Sequence, residues 1–187
     1  LSQEIPVMLV EHAIARVYRQ AAHVSEMNDG EVLADGNVED ARGSRHVQEV
    51  YIGSGAAEIA SKARTTAAGS EVLLRVDAVN TFYGKSHILN DVSFDLRRNE
   101  IIALLGRNGA GKSTLLKSLI GIAPPASGSI RLGDAEIAGM SSAQIARLGI
   151  GYVPQGRGLF AGMSVAHNLE LGRLKRETGL GARWDLE

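Results

Sequence analysis

The sequence predicts an α/β fold, a core of parallel strands with a small antiparallel β layer, and three observations predict it. Residues 101–114 read IIALLGRNGAGKST, five apolar residues running without a break into a glycine-rich turn and then into helix-spaced side chains. An unbroken apolar run of that length marks a strand buried on both faces, as parallel sheets require. The second observation is the mixing of apolar and polar residues over Val72 to Val76, Val79 to Tyr83 and Ile88 to Leu96, the pattern of strands with one solvated face. The third is Val7-Met8-Leu9-Val10, another strand-sized apolar run, followed by a helix-spaced segment.

Composition narrows the possible functions. The chain has 187 residues, 44% of them hydrophobic, and a formal net charge of -1. That length supports one sizeable core or two small ones. So balanced a charge gives no electrostatic case for nucleic acid or for a membrane-surface patch. The absence of cysteine excludes disulfides, thiolate metal sites and cysteine nucleophiles. The apolar runs are strand-sized, and the first residues lack the pattern of a signal peptide. No direct membrane insertion and a cytosolic setting are therefore expected.

Taken in order, Val7 to Val10 runs into Glu11-His12, so the strand is expected to deliver a histidine to its C-terminal edge, where open α/β sheets place ligands. Ile14, Val17, Tyr18 and Ala21 then share one face of a helix over 13–22. Val24 to Met27, Asn28-Asp29-Gly30 and Val32 to Ala34 read as a hairpin with an Asp-Gly turn. Residues 53–70 hold six alanines and three glycines, with Ile59 the one bulky apolar side chain. This is a linker composition, spanning about 23 Å if flexible. It separates a first segment, 1–52, from a second, 71–187.

In the second segment, Tyr83-Gly84-Lys85 marks a turn in the antiparallel layer, and Ser127 to Asp134 reads as a further hairpin arm. Ser141-x-x-Gln144 is a capping box opening a helix to Leu148, with Gly149 as its stop. Ile150 to Pro154 is expected to be a strand with Gln155 at its exit, and Ser164 to cap a helix through Leu171.

The chemistry concentrates at Gly106-x-x-x-x-Gly111-Lys112-Ser113, the P-loop pattern, set between an apolar strand and a helix as its mechanism requires. Gly106, Gly109 and Gly111 let backbone approach a polyphosphate. The N-H groups along Arg107, Asn108, Gly109, Ala110 and Gly111 can then converge on one anion. Lys112 supplies a point charge toward the terminal phosphates. Ser113 offers a hydroxyl to Mg²⁺, and the helix that starts at Lys112, Ser113 and Thr114 aims its positive end at the same anion. A bare glycine turn does not account for the buried strand before it or for Leu115, Leu116, Leu119 and Ile120, which continue at helical spacing until Gly121 and Pro124-Pro125. Nucleotide binding is the expectation.

These motifs, in this order, resemble one family. Residues 71–187 are similar to the N-terminal half of an ABC transporter ATPase domain, a P-loop NTPase core. The resemblance puts Tyr83 in the place of the adenine-stacking aromatic, Gly106 to Thr114 as the phosphate loop, and Gln155 as the Q-loop glutamine that joins Ser113 at Mg²⁺. IGYVPQGRGLF at 150–160 and SVAHNLELG at 164–172 are similar to the LivF type, which serves branched-chain amino-acid importers, or to its urea-importer relative. Val7 to His12, Val24 to Gly36 and Val47 to Ile52 resemble the closing stretch of a LivG-type domain, with His12 as the switch histidine of a different nucleotide site. Ala13 stands where that family often has an acidic residue.

The resemblance implies ATP and Mg²⁺ as cofactors and Gln155 and His12 as catalytic residues. Its implied partners are a second ABC ATPase domain and transmembrane permease subunits, reached from the cytoplasmic face of the membrane. ATP binding and hydrolysis would drive import. After Gln155 this chain contains no LSGGQ-type signature and no apolar strand ending in Asp-Glu, so it is expected to bind ATP without hydrolysing it. The alternative is a non-catalytic nucleotide-binding or interaction fragment of a fused double-ATPase protein. In the family's sheet the switch-histidine strand lies beside the phosphate-loop strand. Val7 to Val10 is thus a candidate partner for Ile102 to Leu105, with loose or oligomeric packing of the two segments as the alternative.

Overall fold

A computed structural model describes residues 5–11, 21–38, 71–156 and 158–171. His12, most of the helix expected over 13–22, the linker 53–70 and Val47 to Ile52 lie outside the described residues. The strands are β1 (Val7–Val10), β2 (His23–Asn28), β3 (Glu31–Asn37), β4 (Val72–Tyr83), β5 (Ser86–Arg97), β6 (Ile101–Gly106), β7 (Ser127–Leu132) and β8 (Ala135–Glu136). The helices are α1 (Lys112–Leu119), α2 (Ser142–Arg147) and α3 (Val165–Leu171).

The apolar run at 101–105 becomes β6, and it is the strand on which the two segments meet. One sheet has the order β1-β6-β2-β3, the other β5-β4-β7-β8. Within the first, β6 pairs in parallel with β1 on one edge and β2 on the other. Val7 stands opposite Ile101 and Val10 opposite Leu104, one residue earlier than the pairing expected with Ile102 to Leu105. The ladder sets this register at both ends, because Val7 N-H donates to Glu100 O at 2.9 Å and Glu11 N-H to Leu104 O at 3.3 Å.

Alternation along β6 then divides its side chains between two cores. Ile102 and Leu104 pack in the larger one with Met27 of β2, Leu89 and Val92 of β5, and Leu115 and Leu119 of α1. Ala103 and Leu105 face the other way, against Ala21, Val24 and Val38. Both faces of β6 therefore pack against buried side chains of the first segment, and the face in the larger core also packs against β5 and α1 of the second. Full burial of each aliphatic side chain is worth about 1.5–3 kcal/mol.

The hairpin is as the Asp-Gly turn predicts. Asp29 (φ 46°) and Gly30 (φ 85°) are both left-handed, the pair of conformations that a tight turn between right-twisted strands needs. In the second sheet, the two expected strands over Val72 to Val76 and Val79 to Tyr83 are one strand, β4, paired to β5 through a bulge. Ala78 takes the unusual conformation there (φ 46°), and its N-H donates to Ser93 Oγ at 2.8 Å instead of to the ladder. β7 pairs antiparallel with β4, and β8 with β7.

The capping box at α2 is complete. Ser141 Oγ accepts the Gln144 N-H, and Gln144 Oε1 accepts the Ser141 N-H at 3.0 Å. Ser164 Oγ accepts the His167 N-H at 3.2 Å and caps α3. Ile150 to Pro154 is not a strand, contrary to expectation. No described strand lies alongside to pair with it, Pro154 has no N-H to donate, and Val153 is 83% exposed. None of the residues of α3 is buried. No helix among the described residues is long and apolar enough to cross a membrane.

A titratable cluster joins the segments at the start of β6. His23 Nε2 lies 2.8 Å from Asp35 Oδ1 and its Nδ1 3.5 Å from Glu100 Oε1, while Ser25 Oγ also donates to Asp35. The hydrogen bond to Asp35 raises the His23 pKa above its ordinary 6.5. Burial opposes this, the charges of Asp35 and Glu100 reinforce it, and Arg97 opposes it weakly. Burial pushes the Asp35 pKa up, but the hydrogen bonds from His23 and Ser25, together with the His23 charge, outweigh it and hold the carboxyl below its ordinary 3.8.

A raised histidine pKa contributes stability that is complete below 6.5 and is lost as pH rises through the folded-state value. The depressed Asp35 pKa keeps its partner ionised throughout that range. The melting temperature is therefore expected to fall from pH 6 to pH 9, and His23→Gln to flatten that fall. Thermal melts by circular dichroism across the range check it, and equal slopes for the two proteins would rule out a proton-linked clasp.

Candidate functional site

β6 ends at Gly106, the chain turns through 107–111, and α1 begins at Lys112. The turn is closed by Ala110 N-H donating to Arg107 O at 3.2 Å, and the first helical bond runs from Leu115 N-H to Gly111 O at 2.9 Å. Arg107, Asn108 and Gly109 are exposed, whereas Ala110 and Gly111 are buried. The glycines meet different neighbours. A Cβ on Gly106 would overlap the carbonyl oxygen of Met27, which pairs with it in the β2–β6 ladder. A Cβ on Gly109 would meet nothing within 4 Å. Gly106 is thus required by the neighbouring strand, while Gly109 (φ 91°) gives the loop an open outer face.

α1 starts at a left-handed Gly111, with no side-chain cap and no acidic residue in its first turn. Nothing in the chain's own first turn neutralises the positive end of the helix, which suits it to an anion. Lys112 Nζ donates to Gly106 O at 2.6 Å and to Arg107 O at 2.8 Å, so the ammonium arches over the turn with one of its three N-H groups left to aim outward. Burial lowers its pKa. Ser113 is exposed beside it, and Thr114 turns into the core. An exposed hydroxyl next to an uncapped helix end fits Mg²⁺ bound with a polyphosphate, since that ion keeps most of its waters and takes few protein ligands.

The structure thus brings 106–113 together in one strand-to-helix turn, the candidate site. Among the described residues, no hydrogen bond ties Tyr83 or Gln155 to it. Tyr83 is exposed at the end of β4, before the turn at 84–85, and Gln155 is exposed in a turn at 155–156. Beside Tyr83, Phe82 stacks on His87 with ring centroids 4.1 Å apart and planes within 6°. His87 Nε2 lies 2.8 Å from Asn80 Oδ1, which fixes that ring at the tip of the hairpin. Sequence reasoning missed this pair, for which the one signal was an aromatic and a histidine flanking a Gly-Lys turn.

Comparison with known proteins identifies a family. A family profile described as ABC transporter matches residues 89–185, which include the phosphate loop and Gln155. The high-affinity branched-chain amino acid transport ATP-binding protein BraG of Pseudomonas aeruginosa is 47% identical over 100 residues, 54% of this chain and 43% of that protein. The galactofuranose transporter ATP-binding protein YtfR of Escherichia coli is 44% identical over 115 residues, 62% of this chain and 23% of that protein. A putative ribose/galactose/methyl galactoside import ATP-binding protein of Albidiferax ferrireducens is 30% identical over 178 residues, 94% of this chain and 34% of that protein. The chain spans less than half the length of each of these relatives.

Proposed function

Because the chain belongs to the ABC transporter family, we propose that it is the ATP-binding part of an importer for branched-chain amino acids or a similar small solute. The observation that carries the reading is the 106–113 turn, an uncapped helix end with a lysine arched over it in a family whose members bind ATP. In this reading the loop backbone and Lys112 hold the phosphates, Tyr83 stacks the base, and Ser113 and Gln155 hold Mg²⁺. That ion, when bound, supplies charge neutralisation at the terminal phosphates. The chain's own contribution is to position and to stabilise charge. The amino-acid transport named for BraG supports the solute class, and the sugar relatives set its breadth.

We also assign residues 1–52 to the end of one ATPase domain, 53–70 to a linker and 71–187 to the first half of a second. An alignment running through 94% of the chain to a single relative supports both segments belonging to one polypeptide, in this order. Its partners in this reading are a further ATPase domain and transmembrane permease subunits, at the cytoplasmic face of the membrane. His12 then serves a nucleotide other than the one at Lys112.

Calorimetric titration with Mg-ATP tests the site. Lys112→Ala removes a charge-assisted contact worth about 1.5–3 kcal/mol, so affinity should fall by roughly tenfold to a hundredfold. Phosphate release in the same samples should stay at background, because the chain encodes no water-orienting carboxylate of the expected kind. Equal and appreciable affinities would remove the site, and turnover abolished by Lys112→Ala would remove the non-hydrolysing reading.

A further inference from the structure

We propose that the Asp29-Gly30 turn of the β2–β3 hairpin is a positioning element of the phosphate loop, holding one peptide unit of that loop in its anion-facing orientation. The inference rests on the reading of 106–113 as a nucleotide site. Gly30 is buried between the loop and β5. Its N-H donates to Ala110 O at 3.2 Å, and its carbonyl accepts the Asn90 N-H at 2.9 Å. Asn90 Nδ2 donates to Asp29 O at 3.1 Å. The fit allows no side chain, since a Cβ on Gly30 would overlap the carbonyl of Ile88. A Cβ on Gly111 would lie 3.4 Å from Gly30 Cα and 3.2 Å from Ile88 O.

The consequence follows from peptide geometry. The carbonyl of Ala110 and the N-H of Gly111 belong to one planar trans unit, in which they point in opposite directions. Fixing the Ala110 carbonyl on Gly30 therefore aims the Gly111 N-H away from the hairpin, at the N-terminal end of α1 where the phosphates are expected. Asn90 anchors the turn to β5 through both its backbone and its side chain, so the donor is held by a chain of contacts from the second sheet through the first segment. Gly30 and Asn90 touch no ligand in this account. They act through Gly111.

Two variants of the full chain test it, Gly30→Ala and Asn90→Ala, with Lys112→Ala as the reference. Each is titrated with Mg-ATP at a temperature where circular dichroism shows it fully folded, and the Gly111 amide resonance is followed by NMR without nucleotide. Losing the side-chain tie in Asn90→Ala should weaken Mg-ATP binding about threefold to tenfold, and Gly30→Ala should weaken it more. Both should shift the Gly111 amide resonance, a change that a lower melting temperature alone does not produce. If Lys112→Ala weakens binding while the folded hairpin variants bind like the natural chain and leave the Gly111 resonance in place, the inference is overturned. If Lys112→Ala binds normally, the nucleotide site itself is what fails. Should Gly30→Ala not fold, Asn90→Ala decides the question alone.

Discussion

Removal of residues 1–70 is expected to abolish the cooperative melting transition of the remaining chain. β6 lies between β1 and β2, so the deletion leaves its backbone donors and acceptors unpaired on both edges at once. It also strips Met27 from the larger core and Ala21, Val24 and Val38 from the smaller one. Met27, Val24 and Val38 alone represent about 1.5–3 kcal/mol each. A domain has only about 5–15 kcal/mol in total. Melts of the two proteins followed by circular dichroism decide it, and a truncated chain that unfolds at the same temperature as the whole would show that the segments share no core.

Gly106→Ala should be the most damaging single change in the phosphate loop. The new methyl group would run into the Met27 carbonyl, which is fixed in the β2–β6 ladder and cannot swing aside as a side chain could. Forcing extra volume into such a place costs about 1–3 kcal/mol, or roughly 2–4 °C of melting temperature per kcal/mol in a chain of this size. Gly109→Ala is the control, because its methyl meets open space and only the left-handed backbone is strained. Gly106→Ala should lower the melting temperature more than Gly109→Ala does, whereas nucleotide affinity should suffer in both. The reverse order in the melts would mean that β2 does not lie against the loop.

Local features were legible in the sequence for a physical reason. The Asp-Gly turn, the Ser141–Gln144 capping box and the P-loop pattern each place all their interacting groups within a few residues of one another. The β1–β6 pairing could be anticipated through the family resemblance, yet its register could not, because one residue of slip leaves the apolar pattern of Val7 to Val10 equally satisfied.

The β2–β6 pairing had no sequence signal. Parallel strands more than seventy residues apart carry no local mark of which neighbour each will choose. That gap hid the role of Gly106, which sequence reasoning gave to the phosphate and which the structure gives also to Met27. Ile150 to Pro154 shows the opposite error. Its residues suit a strand, but a strand exists only with a partner, and none is paired to it among the described residues. Likewise Ala78 breaks the alternation in β4 without ending the strand, because a bulge absorbs it.

Residue-resolved amide hydrogen exchange, with and without Mg-ATP, tests most directly the claim that the first segment and the phosphate loop form one nucleotide-binding core. Amides of β2 and β6 are expected to exchange together through a single opening, and saturating Mg-ATP to slow both by the same factor, as ligand linkage requires of one cooperative unit. Rapid exchange in β2 beside a protected β6, or protection that Mg-ATP raises in β6 alone, would contradict it.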